Sequence, residues 1–382
     1  MRVFIGARLF DGERFLDDHA LIVEGGSIRA LVDHADRPRG GEEVDLGGGM
    51  LSAGFIDWQI NGGGGVLFNA EPTVEAIAKI ARAHRREGVT GFLPTVVTDA
   101  PGVLDTALTA ARIAQVRVPG ALGVHVEGPF IDPRRKGVHP AEFIRPMRER
   151  DAEALIAARA GAMVVTLAPA SVPLELVARL ASAGIVVSLG HSDATAEEAG
   201  AVFDAGARAA THLYNAMSQL VSRAPGVVGA ALADPRVICG LIADGEHAHS
   251  AAYRVAIAAK GPGGVALVSD AMPPAAGGPD VFELMGRQMK RVGAKLVDEN
   301  GTLAGAAITM RDAVRYVATN LGLPIAAALT MATLAPARLL GLDERIGRLA
   351  PGFAADLVHL TDALDVAGVW VGGKALEAEA QG

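Results

Sequence analysis

G-V-H-V-E-G-P-F-I-D-P-R-R-K-G-V-H, residues 123–139, opens as a short apolar strand and ends that strand on a carboxylate, Glu127. Gly128-Pro129 then breaks it, a basic run follows at Arg134-Arg135-Lys136, and the segment closes on His139. A buried strand that carries an acid to its own C-terminal tip, beside a cationic loop, is how an α/β barrel builds its active face. Taken alone, the stretch also fits an ordinary strand with an acidic cap and a solvated loop. The decision therefore rests on whether other strands end the same way.

Working outward, apolar strand-like runs alternate with helical segments from residue 51 to about residue 342, the pattern of a parallel α/β sheet. Eight strands are expected, over 54–59, 91–97, 121–127, 163–169, 184–191, 207–214, 237–244 and 264–270. Helices are expected over 73–87, 152–159, 172–183, 196–206 and 249–260. The first of these places Val74, Ile77, Ile80, Ala81 and His84 on one face. A further helical stretch, 325–340, is expected to break just before Pro336. Eight β/α units predict a closed (β/α)8 barrel of the TIM type. The runner-up is an open doubly wound sheet, but Gly62-Gly63-Gly64-Gly65 lacks the spacing of its phosphate turn. Both chain ends read as strands: Val3-Phe4-Ile5 and Ala20-Leu21-Ile22-Val23 at one, Gly347–Leu360 and Gly368–Val371 with a Gly372-Gly373-Lys374 turn at the other. The economical arrangement is a small β-sandwich made by both termini, residues 1–50 and 345–382, beside a barrel over 51–344.

Composition narrows the function. The 382 residues are 50% hydrophobic and carry a net charge of −8, with no basic excess to attract nucleic acid. No apolar run reaches the roughly 20 residues that span a bilayer, and the first ten residues are too short on apolar content for a secretory signal. The single cysteine, Cys239, excludes an internal disulfide and fits a reducing, cytoplasmic setting.

The other strand ends repeat the opening pattern. The fifth strand reaches its tip at His191, the sixth carries His212, the seventh ends at Asp244 with His247 just beyond, and the eighth ends at Asp270. In a barrel these tips converge on one face. Each alone fits a structural role, but burying several polar groups together costs stability unless they serve a purpose. Two imidazoles and a carboxylate make a three-ligand site with an open position, the pattern of catalytic zinc. An ion there lowers the pKa of a bound water to about 7. An aspartate on the same rim can take that proton and return it to a leaving group. The chemistry on offer is hydrolysis of an amide or ester.

The strings G-F-I-D-W-Q-I-N-G (54–62), H-V-E-G-P-F (125–130), K-G-V-H (136–139), L-G-H-S-D-A-T (189–195), T-H-L-Y-N-A-M (211–217), I-A-D-G-E-H (242–247), L-V-S-D-A (267–271), D-E-N-G-T-L-A-G (298–305) and A-T-L-A-P-A (332–337) run in order over essentially the whole chain. Jointly they resemble the amidohydrolase superfamily, and within it the amino-sugar-6-phosphate deacetylases. The resemblance implies hydrolysis of the N-acetyl group of N-acetyl-D-glucosamine 6-phosphate to glucosamine 6-phosphate and acetate. It implies Glu127, His191 and His212 as ligands of one divalent ion, zinc in the first place, with Fe2+, Mn2+ or Co2+ able to share such a site. Asp270 is implied as the general base and His139 as the group that steadies the developing oxyanion. Val138, Asn215, Ala216, Asp244, Leu303, Ala304 and Gly305 are implied around the sugar and acetyl group. Arg223 and His247 are implied at the 6-phosphate, Arg223 reaching the active site of the neighbouring subunit in a homodimer.

Several positions depart from what relatives carry. Where many members carry an H-x-H metal pair, this chain has Gln59 and Asn61, and its fourth strand offers no lysine for a second-metal bridge. Val138 and Ala304 also replace residues more usual at those places, which bears on sugar specificity. The alternatives are the galactosamine epimer or another N-acyl amino sugar as substrate, a cyclic-amide hydrolase, which the Gln59/Asn61 pair opposes, and a catalytically silent binding protein, which the retained ligands and Asp270 oppose.

Overall fold

The computed structural model describes residues 1–293 and 295–375. At its centre lie eight parallel strands in chain order: β1 (Phe55–Ile60), β2 (Val89–Val97), β3 (Gly123–Glu127), β4 (Ala162–Leu167), β5 (Val186–Leu189), β6 (Ala209–Ala210), β7 (Ile238–Leu241) and β8 (Val265–Leu267). The end of β8 returns to β1. The Asp270 amide donates to the Gln59 carbonyl at 3.0 Å, and the Asn61 and Gly62 amides both donate to the Ala271 carbonyl, at 2.9 and 2.8 Å. These bonds and a parallel bridge between Ile60 and Ala271 close the barrel. Every expected strand is present. Strands such as β2 are buried at all positions, which is why they read as unbroken apolar runs rather than alternating ones.

Strands β5 to β8 stop earlier than the sequence implies. His191, His212 and Asp270 leave the ladder with φ of 46°, 31° and 48°. A left-handed residue turns the backbone out of the sheet, so the apolar run continues while the pairing stops.

The helices follow their apolar faces. In Val74–Arg85 the Thr73 hydroxyl accepts the Ala76 amide as an N-cap, and Ala76, Ile77, Ile80, Ala81 and His84 are buried. Glu149–Ala158, Leu174–Ser182, Ala196–Asp204 and Ser250–Lys260 fall where expected. Val103–Arg117 was not foreseen: four of its five buried residues are Ala107, Ala110, Ala111 and Ala114, so its buried face contrasts little with its surface. The helix break near Pro336 falls instead at Thr333 (φ −129°, ψ −74°), between Ile325–Ala332 and Leu334–Leu339. Pro336 thus sits in the first turn of the second helix, where its missing N–H is not needed.

The termini form two sheets. One contains Arg2–Ile5, His19–Glu24, Ser27–Asp33 and Glu42–Asp45. The other orders Lys374–Ala375, Val366–Val371, Leu357–Leu360, Met50–Ala53, Arg8–Phe10 and Phe15–Leu16. Phe4, Leu9, Leu21, Ile28, Leu51, Leu357 and Trp370 pack between them, with Phe4 and Trp370 edge to face at 5.1 Å. Met50–Ala53 pairs on both sides within this sheet, so the sandwich extends past residue 50 into the entry to β1.

An antiparallel insert after β8, with strands Val281–Leu284, Arg287–Val292, Lys295–Val297 and Leu303–Ala306, was also not foreseen. Its own small core, Leu284, Met289, Leu296 and Ala304, packs on Leu67 and Met272. The Arg287 guanidinium donates to the Val138 carbonyl, and Lys295 pairs with Glu246 at 2.9 Å, so the insert is tied across the barrel mouth.

Candidate active site

The polar tips meet. Glu127 Oε1 lies 2.9 Å from His212 Nε2 and 3.2 Å from His191 Nε2, and the two imidazole nitrogens are 3.1 Å apart. All three side chains are buried. The register explains the meeting: Glu127 ends β3, while the left-handed turns at His191 and His212 aim both rings inward from the ends of β5 and β6.

The donor set fits a divalent cation. The Nδ1 of His191 lies 2.9 Å from the Arg135 carbonyl, which only accepts, so Nδ1 carries the proton and Nε2 presents a lone pair. That lone pair faces a carboxylate oxygen and a second imidazole nitrogen. Three donors this close match the edges of a coordination shell with metal–ligand distances of about 2.0–2.2 Å. Burial alone would push the Glu127 carboxyl up, but the neighbouring imidazoles of His191 and His212 hold it well below the usual carboxylate range. His212 moves the other way: burial would lower it, and Glu127 raises it. His139 borders the same space, with a ring nitrogen within 4.8 Å of ligand atoms of Glu127 and His191. The shorter distances nevertheless assign His212, not His139, to the inner triangle.

Asp270 faces this cluster. Its Oδ1 accepts from Asn61 Nδ2 at 2.6 Å and from Gln59 Nε2 at 3.2 Å, and the same Gln59 nitrogen lies 3.3 Å from Glu127 Oε2. The two carboxamides thus turn N–H donors, not lone pairs, toward the place where an H-x-H pair would hold a second ion. Burial first, then the Glu127 carboxylate, push Asp270 up to about 6. Burial, then the neighbouring His191, bring His139 down to about 3, so its ring is neutral near pH 7.

Beneath the triangle runs a buried chain of hydroxyls. Thr95 Oγ1 meets His125 Nδ1 at 3.2 Å, His125 Nε2 meets Thr166 Oγ1 at 2.7 Å, and Thr211 Oγ1 bonds both Thr166 and Ser188 at 2.6 Å. His125 therefore lies below Glu127 on the same strand as a satisfied interior residue, and burial lowers it to about 4.

Above the triangle opens a cavity of about 490 Å³. Glu127, His139, His191, His212, Asp270, Val138, Asn215, Ala216, His247, Leu303 and Gly305 all border it. Three expected substrate contacts do not. Ala304 alternates away from its neighbours and is fully buried in the insert's core. Asp244 stands behind His247, its Oδ2 2.6 Å from Nδ1, which directs the other ring nitrogen to the cavity. Burial would raise Asp244, but the bonds from His247 keep it below its ordinary value. Arg223 lies on an exposed loop outside the cavity of its own chain. The sequence reading also missed part of the wall: Leu284, Met285 and Thr302 come from the insert, and Arg134 and Arg135 from the loop after β3. The alternation in V-F-E-L-M-G-R-Q-M-K-R-V, residues 281–292, with its Met285-Gly286 turn, was the available signal for the insert.

Comparison with known proteins agrees with this geometry. Residues 50–376 match the model of the Amidohydrolase family, and residues 1–51 that of the NagA composite domain. The chain is 42% identical to an N-acetylgalactosamine-6-phosphate deacetylase of Shewanella sp. (strain ANA-3), over 98% of this chain and 96% of that one. It is 36% identical to an N-acetylglucosamine-6-phosphate deacetylase of Haemophilus influenzae, over 94% and 95%. The crystal structure of N-acetylglucosamine-6-phosphate deacetylase from Pasteurella multocida superposes with a TM-score of 0.95 at 34% identity, covering 98% of this chain and 99% of that one. With its barrel, its buried Glu-His-His triangle and these full-length likenesses, the chain belongs to the amidohydrolase family.

Proposed function

We propose that this protein hydrolyses the N-acetyl group of N-acetyl-D-glucosamine 6-phosphate, giving glucosamine 6-phosphate and acetate. The observation that carries the reading is the Glu127–His191–His212 triangle with Asp270 beside it at the floor of a cavity large enough for a sugar. Those three residues would hold one divalent ion, zinc by preference, which would supply Lewis acidity to the acetyl carbonyl and to a water. Asp270 takes the proton from the attacking water and returns it to the departing amine. Asn61 and Gln59 hold one oxygen of Asp270 and leave the other to do this work. His139, neutral and at the cavity wall, donates to the acetyl oxygen as charge develops there. Asn215, Ala216, Val138, Leu303 and Gly305 enclose the sugar.

His247, steered by Asp244, binds the 6-phosphate. Arg223 supplies the second phosphate contact from the partner of a homodimer. Its exposure close after exposed Leu220 and Val221 supports that role, since an arginine beside exposed apolar residues suits a subunit interface. The buried, unpaired Cys239 accords with a cytoplasmic enzyme. Among the described residues no helix is long and apolar enough to cross a membrane.

A second reading has its own support: the relative at 42% identity is named for the galactosamine epimer. Acetate release from the 6-phosphates of both N-acetyl hexosamines and from the unphosphorylated sugars, before and after removal and return of zinc, decides between the readings. Zinc-dependent release from the glucosamine compound at the higher kcat/KM is expected. Preference for its epimer would move the assignment, and release from neither would remove the function.

A further inference from the structure

Strand β2 ends opposite the tip of β3, with Val97 paired to Glu127. The next residue, Thr98, donates its amide to the Glu127 carbonyl at 3.0 Å and turns its hydroxyl to His139 Nδ1, at 2.8 Å. Thr98 is 1% exposed and His139 3%. Thr98 does not border the main cavity, so its hydroxyl acts on the chemistry only through His139. The fit is close: a Cβ on Gly128, which has φ +81°, would lie 2.1 Å from Thr98 Oγ1. Only glycine there leaves the hydroxyl its place.

The direction of this hydrogen bond matters. A neutral imidazole carries one proton, and the bond made by one nitrogen decides what the other can do. If Nδ1 donated to Thr98, the threonine proton would need an acceptor of its own. Among the described residues the Thr98 hydroxyl has no other partner, and it is shielded from solvent. Leaving that buried donor unpaired costs about 1–3 kcal/mol. With Thr98 donating and Nδ1 accepting, nothing is left unpaired.

We infer that Thr98 is a positioning residue which fixes His139 as the Nε2–H tautomer, so that the nitrogen facing the cavity is a hydrogen-bond donor and not a metal ligand or a base. This rests on the oxyanion role proposed for His139. It also explains why a third histidine can stand beside the Glu127–His191–His212 triangle without joining it.

The test compares Thr98→Val, which keeps the shape and removes the hydroxyl, with Thr98→Ser, which keeps the hydroxyl. Two-bond proton–nitrogen NMR on protein labelled with 15N-histidine reads the His139 tautomer without substrate. The Nε2–H form is expected in the wild type and in Thr98→Ser, and its loss or mixing with the other tautomer in Thr98→Val. In the zinc-loaded enzyme, Thr98→Val should lower kcat by about 10–100-fold with little change in KM, and Thr98→Ser should restore it. An Nδ1–H tautomer in the wild type overturns the inference, as does a Thr98→Val variant with unchanged kcat or with a lowered kcat and an unchanged tautomer. If Thr98→Val fails to fold, the wild-type and Thr98→Ser spectra still decide. Should the wild type deacetylate nothing, the proposed function falls, while the resting tautomer still reports on Thr98.

Discussion

The cavity has two walls of different make. One is built from barrel strand tips: Glu127, His191, His212 and Asp270, all buried and each bonded to a neighbour placed by another strand. Three of the four sit in left-handed backbone, a conformation a bulky residue holds only when its surroundings enforce it. The other wall comes from loops and the antiparallel insert: Arg135, Val138, Met285, Thr302 and Leu303, partly exposed and held by a few cross-ties. Bond-breaking chemistry needs atoms fixed to a fraction of an ångström, which a closed barrel provides. Choosing a substrate needs surfaces that differ between relatives, and loops supply those. The difference teaches that this cavity joins a tightly fixed cluster of strand-tip side chains to a wall of more exposed loop residues.

Substitution can break the comparison most forcefully at the strand-tip wall. Asp270→Asn should lower kcat by about 10²–10⁴-fold with zinc content unchanged. Steady-state kinetics with metal analysis checks it, and a variant with near-normal turnover would make the base assignment untenable. The variant also reads stability. Asp270 is raised from 3.8 to about 6 in the fold, so its ionised form weakens the fold as pH rises through about 6. Metal-free Asp270→Asn should therefore melt no lower than metal-free wild type at pH 8.

On the recognition side, Arg223→Ala should raise KM for the phosphorylated sugar by about 10–100-fold, the worth of a charge-assisted bond, and leave the unphosphorylated sugar little affected. Equal losses on both would move the phosphate site away from Arg223. Mixing this variant with an Asp270→Asn chain sharpens the test: if the arginine serves the partner's site, the hybrid dimer recovers one intact active site.

The pH profile should show a smaller, graded effect. A base must be ionised, so kcat should fall about tenfold per unit on the acid side. The limb lies at or below about pH 6, because a bound cation favours the carboxylate further. A limb near pH 8 would point to another group. The smallest effect is expected at Ala304→Ser. Its side chain faces the insert's core, so kinetic constants should stay within about twofold, while a buried hydroxyl without a partner costs about 1–3 kcal/mol in thermal unfolding. A large change in sugar preference would bring Ala304 back to the cavity wall.

The two walls also differ in how far they could be read from the sequence. Parallel strands buried on both faces appear as continuous apolar runs, and a Glu, His or Asp ending such a run stands out; all four strand-tip residues were found this way. Thr98 ends a run too, but a threonine gives no contrast, and its importance depends on a histidine 41 residues away. The insert was missed because its strands are short and half-exposed. Its contribution to the cavity depends on a tie between Arg287 and Val138 that no local pattern announces. Ala304 was misjudged for a related reason: without the strand, its parity was unknown. Thr333 broke its helix through backbone geometry rather than through the proline three residues on.

The sandwich's shared sheet has a consequence for biosynthesis. Met50–Ala53 lies between Arg8–Phe10 and Leu357–Leu360, and the second of these neighbours leaves the ribosome about 300 residues after Met50–Ala53 itself. At about 5–20 residues per second, the open edge of that strand waits on the order of 15–60 seconds for its partner. Until then one edge of an apolar strand is bare on the nascent chain, and a segment made long after it is the one that covers it.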